Sequence, residues 1–78
     1  MQRTHERRDE RHHFASNLRA HRKRLGLSQE QLGDLCDLHR TEISLLERRK
    51  RSPRLDTIVD LARGLQLSSV CELLDDMA

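Results

Sequence analysis

"SQEQLGDLCDLHRTEISLLERRKR", Ser28 to Arg51, holds two short helical patterns separated by a break that leaves room only for a sharp turn. Ser28 and Gln31 stand at the spacing where a hydroxyl and a side-chain amide satisfy free backbone N–H groups at a helix start. Leu32, Leu35 and Cys36 continue that helix. "CDLH", Cys36 to His39, breaks the period. A second helix runs from about Arg40 to Arg48, with Ile43, Leu46 and Glu47 on one side. So short a link sets two helices at a steep angle. Four consecutive cations, Arg48 to Arg51, close the stretch.

Outward from this pair the pattern stays helical. Phe14, Leu18, His21 or Arg22, and Leu25 recur at spacings of three and four, and Gly26 supplies a helix stop. Pro53 ends the cationic run and prevents the preceding helix from continuing. Leu55, Ile58, Leu61, Ala62 and Leu65 mark a fourth helix. Ser69 and Glu72 repeat the capping-box spacing, ahead of a short last helix with Val70, Leu73, Leu74 and Met77. β-branched residues are scarce and no stretch alternates with period two, so the fold class is all-α: five short helices in one domain. Residues 1–12 read as a charged N-terminal arm or a helix extension, and residues 13–78 as the folded domain.

The chain has 78 residues, of which 36% are charged and 35% hydrophobic, and its net charge is +2. The charge is segregated. Residues 12–27 carry Arg19, Arg22, Lys23 and Arg24 with no acid. Residues 39–54 carry Arg40, Arg48, Arg49, Lys50, Arg51 and Arg54 against Glu42 and Glu47. Residues 55–78 carry Arg63 against five acids. Basic blocks set against an acidic C-terminal block suit a molecule with one side facing a polyanion.

Other classes find no support. No apolar run approaches the roughly 20 residues of a membrane span, and "MQRTHERRDERHH" lacks the apolar core of a signal peptide. The expected compartment is the cytoplasm. Cys36 and Cys71 read as reduced thiols. No Gly-rich phosphate loop or nucleophile motif is present, so the chain does not read as an enzyme, and no cofactor or small-molecule ligand is expected. His5, His12 and His13 lack cysteines at zinc-finger spacing, and no metal is expected. One aromatic residue, Phe14, is too few for stacking single-stranded nucleic acid.

With Ile43, Leu46 and Leu38 turned inward, Arg40, Thr41, Ser44, Leu45 and Arg48 share the outward side of a helix-turn-helix. A guanidinium, two hydroxyls and an apolar contact suit base edges in a major groove. An ordinary polar helix face has the same composition.

"LGLSQEQL" (Leu25 to Leu32), "ISLLERRKRSP" (Ile43 to Pro53) and "LDTIVDLARGL" (Leu55 to Leu65), in this order and spacing, resemble the Cro/cI-type (Xre-like) helix-turn-helix family of bacterial and phage transcriptional regulators over residues 14–74. "HRTEIS" (His39 to Ser44) is also similar to the small controller proteins of restriction–modification systems. The resemblance implies a compact five-helix bundle of the phage-repressor DNA-binding type. It also implies that Gln29 bonds a phosphate and braces the start of the recognition helix. Arg40, Thr41, Ser44 and Leu45 would read bases, and Arg48, Lys50 and Arg51 would grip the DNA backbone. Arg22 and Glu47 match a pair that forms an inner salt bridge. Asp37, Arg49 and Gln66 depart from the pattern, standing where Gly is usual; His21 replaces Leu, and Leu35 replaces a charged residue and is expected to be exposed.

The implied partner is double-stranded DNA, bound by a homodimer on an inverted repeat and joined through the C-terminal helix. The rival reading is a protein-interaction module, such as an antitoxin acting mainly by binding a partner protein through Leu35 and the acidic helices.

Overall fold

The computed structural model describes the backbone of residues 3–75 and the side chains of residues 12–75. Met77, expected on the last helix, and the side chain of His5 lie outside the described residues. Five helices follow in order: α1 (Arg3–Arg24), α2 (Gln29–Cys36), α3 (Arg40–Glu47), α4 (Leu55–Gly64) and α5 (Cys71–Leu74). The described residues contain no strand. α1 begins well ahead of the apolar pattern that starts near His13. Its leading residues are mostly Arg, Glu and Asp with no Gly or Pro, so the helix anchored by Phe14 and Leu18 meets no breaker on the N-terminal side.

One core unites the helices. Phe14 and Leu18 of α1 meet Leu32 and Cys36 of α2, Ile43 and Leu46 of α3, Ile58, Leu61 and Ala62 of α4, and Leu65 and Leu73 beyond. Leu27, Leu38, Leu67 and Val70 pack against it from the connecting segments. Two leucines expected in the helical stripes are outside it: Leu25 is 40% exposed and Leu55 76%. Leu25 lies past the last residue of α1, in the turn through Gly26, and Leu27 takes the place at the core. Leu55 is the first residue of α4, whose burial starts at Thr57.

One polar residue belongs to the interior although the apolar pattern does not include it. Asn17 is fully buried, and its Nδ2 donates to the carbonyls of Leu73 at 2.9 Å and Asp75 at 2.7 Å. His21 Nε2 lies 3.3 Å from the carbonyl of Glu72. α1 thus satisfies backbone acceptors at the C-terminal end of α5, which a helix of 4 residues cannot satisfy by itself. The spacing from Phe14 does place Asn17 on the inner stripe. The second capping box is also rearranged. Glu72 accepts from the N–H and hydroxyl of Ser68, which hold its carboxyl below the ordinary range, while Ser69 Oγ accepts from Cys71 N–H.

The helix ends share one solution. After α1, α3 and α4 a residue with positive φ (Gly26, Arg49, Gln66) is followed by a backbone N–H that reaches five residues back: Leu27 to Arg22, Lys50 to Leu45, Leu67 to Ala62. After α2, Asp37 at φ 60° and Leu38 both donate to Gly33. Three of these four left-handed residues are not glycine, and they are the three that depart from the Gly-containing pattern. An L-residue pays roughly 1–2 kcal/mol for that conformation. Gly33 has a different task. A Cβ there would stand 2.4 Å from the carbonyl oxygen of Leu38, so only glycine lets the α2–α3 turn lie against α2.

Two stability changes of opposite sign follow. Gln66→Gly should raise unfolding free energy by about 0.5–1 kcal/mol, the left-handed cost less the extra entropy of glycine. Gly33→Ala should lower it by about 1–3 kcal/mol, because backbone must move. Urea unfolding midpoints at constant slope measure both.

Candidate nucleic-acid interface

α3 starts at a side-chain cap. His39 precedes it in extended conformation, and its Nδ1 accepts the N–H of Thr41 at 3.0 Å. Ile43 and Leu46 are buried, which fixes the rotation of the helix. Arg40, Thr41 and Arg48 are then exposed, and Ser44 and Leu45 half-buried, so the proposed reading residues share one accessible side. Arg48 is not a full member of α3. It caps the helix at φ −89° and ψ 5°, with Nε 3.4 Å from the carbonyl of Ser44.

The cationic run is tied down by its neighbours. Arg49, in the left-handed conformation, turns the chain, and its Nη1 lies 2.8 Å from His12 Nδ1. Guanidinium can only donate, so this contact uses the lone pair of His12. Arg51 Nη1 donates to Glu42 Oε1 at 2.5 Å. Arg40 Nη1 stands 3.8 Å from Glu30 Oε1. The contacts made by His12 and Glu42 have no signal in the chain's pattern, because each joins residues brought together only by the fold.

Beneath this face lies the pair expected from the resemblance. Arg22 Nε and Nη2 donate to Glu47 Oε2 and Oε1 at 2.6 and 2.9 Å, and Nη1 donates to the carbonyl of Leu27 at 2.8 Å. Both side chains are at least nine-tenths buried. The hydrogen bonds to Glu47 raise the Arg22 pKa above its ordinary value, against the opposing effect of burial. Gln29 Nε2 adds a donor to Glu47 Oε1 at 3.2 Å. Gln29 therefore braces the last residue of α3, not its start as expected. The reason is geometric: the first residue of α2 lies beside the end of α3.

The other side chains singled out serve elsewhere. Leu35 is 59% exposed on α2, as expected for its position. Cys36 is buried with its Sγ against Gly64, and burial, helped by Asp60 and opposed by a Gly64 backbone hydrogen bond, pushes its thiol up to about 11. Cys71 is an exposed free thiol. No helix among the described residues is long and apolar enough to cross a membrane.

The family profile described as "Helix-turn-helix" matches residues 18–73. The chain is 44% identical over 55 residues to control protein C.SmaI of Serratia marcescens, covering 70% of this chain and 66% of that protein. It is 49% identical over 39 residues to control protein C.BamHI of Bacillus amyloliquefaciens, covering 50% of this chain and 48% of that one. The matched segments thus span less than two thirds of either relative. Among solved structures, it is similar to the restriction–modification controller protein C.AhdI from Aeromonas hydrophila, with TM-score 0.79 and 35% identity, covering 83% of this chain and 97% of that one. A hypothetical transcription factor, NHTF, from Neisseria gives TM-score 0.83 and 34% identity, covering 87% and 77% of the two chains.

Removing one partner of the buried pair tests its weight. Arg22→Met should cost on the order of 3 kcal/mol, because Glu47 stays buried with its main donor gone. Adding Glu47→Leu should recover part of that loss, as read from thermal or urea unfolding.

Proposed function

The chain belongs to the helix-turn-helix family of DNA-binding transcriptional regulators, and from that premise we propose that α3 is the recognition helix, lying in the major groove of its operator. The supporting observation is the division of α3 into a buried stripe, Ile43 and Leu46, and an accessible side followed at once by cations. Arg40 suits the acceptor pair of guanine, Thr41 and Ser44 offer hydroxyls, and Leu45 offers contact to a thymine methyl. Arg48, Lys50 and Arg51 meet phosphates, which fixes the docking and makes affinity fall with salt. Gln29 gives one amide N–H to Glu47 and has a second for a phosphate.

One recognition helix reads few base pairs. We therefore assign a homodimer on an inverted repeat, with half-sites about 34 Å apart. On α5, Leu73 is spent in the core while Leu74 is 49% exposed. A C-terminal interface thus draws on Leu74 and the outer side of Val70 rather than on the whole apolar set. Two relatives named control proteins and a solved structure described as a restriction–modification controller protein support a regulatory role of the same kind, exercised in the cytoplasm where the DNA is.

Selection of random duplexes on the purified chain at near-physiological salt tests this reading. Enrichment of a two-fold symmetric site is expected. The double variant Arg40→Ala, Arg48→Ala should bind that site at least ~10-fold more weakly, since one good bidentate base contact alone discriminates by about 1–3 kcal/mol. Unchanged affinity would overturn the residue assignment. A folded chain that enriches no sequence would transfer weight to a protein partner.

A further inference from the structure

Both outermost guanidinium groups of the α3 side are faced by a carboxylate, and the two pairs differ. Arg40 and Glu30 are 3.8 Å apart with side chains 66% and 69% exposed, so water and salt weaken them. Arg51 and Glu42 are in direct contact, with side chains 53% and 23% exposed. Glu42 sits in the first turn of α3, between Thr41 and the buried Ile43. Arg51 sits in the loop beyond α3. The pair therefore ties the end of the cationic run back to the start of the helix.

A carboxylate in this place acts against duplex affinity in two ways. It takes up one N–H of the fork with which a guanidinium would grip a phosphate. It also sets a negative charge where phosphates must approach. Neither effect is needed for folding, because α3 is already capped by His39 and anchored by Ile43, Leu46 and Glu47.

We propose that Glu42 is a positioning residue that withholds Arg51 from non-specific duplex. In the free protein the Arg51 guanidinium is held by Glu42. A loosely docked complex on an arbitrary sequence leaves this pair closed, so Arg51 releases no counterion there. Only close docking brings a phosphate near enough to take the guanidinium over. The proposal rests on the DNA-binding reading and adds a device that limits unspecific binding.

The test uses the full chain and a short random-sequence duplex over a range of sodium chloride concentrations. Glu42→Gln should tighten binding on the order of 3-fold at low salt, the scale of an exposed ion pair. It should also steepen the log–log salt dependence by about 0.9, the signature of one more phosphate contact. Glu42→Asp keeps the charge but shortens the reach, and should steepen the slope likewise. The steeper slope should vanish in an Arg51→Ala background, where only the small affinity gain from removing a negative charge remains. A steeper slope that persists without Arg51, or a Glu42→Gln variant that binds no better, would overturn the gate and leave DNA binding standing. A chain that binds no duplex even at low salt overturns both readings together.

Discussion

The buried Arg22–Glu47 pair is the interaction on which the arrangement depends. Arg22 comes from the end of α1 and Glu47 from the end of α3. Arg22 also holds the Leu27 carbonyl in the α1–α2 turn, and Glu47 also receives Gln29 from the start of α2. Three helices are thereby fixed at one point, directly beneath the accessible side of α3. A pair so placed is not a strong source of stability, since desolvation offsets most of its attraction. What it supplies is direction. Two guanidinium nitrogens on two carboxylate oxygens tolerate little rotation, so the end of α3 has a defined azimuth relative to α1. Ile43 and Leu46 set which side of α3 turns inward, and the ion pair sharpens that setting at the end of the helix.

Much of this was readable from the chain itself. Helices α2 and α3 announce themselves because Ser28 and Gln31 form the expected box and because Ile43 and Leu46 leave one side of α3 to solvent. Leu25 and Leu55 misled because periodicity reports helical spacing but not whether a terminal turn has a neighbour to pack on. Asn17, Gly33, His12 and Glu42 were not legible as working residues. Each acts on a group that sequence distance hides or backbone geometry alone decides: carbonyls of α5, the carbonyl of Leu38, a guanidinium in the loop. The Arg22–Glu47 contact was expected only from family resemblance. Taken singly, an acid such as Glu47 more often faces water.

The left-handed helix ends show how the turns are secured without the residue best suited to them. Asp37, Arg49 and Gln66 each carry a backbone cost that glycine would avoid. At Arg49 the side chain gives something in return, since it reaches His12 on α1 and anchors the loop that holds the cations. Glycine would relax the turn and remove that anchor. Nothing in the described contacts offers a comparable return at Gln66.

The clasp between α1 and α5 sets the lifetime of the C-terminal segment. A helix of 4 residues has no cooperative stability of its own. Its closing carbonyls are held by Asn17 and approached by His21, and Leu73 is locked in the common core. Opening α5 therefore strips the buried amide of Asn17 of both acceptors in the middle of α1. The segment cannot fray as an independent tail. It opens as part of the same unit as α1, so any surface built on its outer side persists as long as the domain itself stays folded.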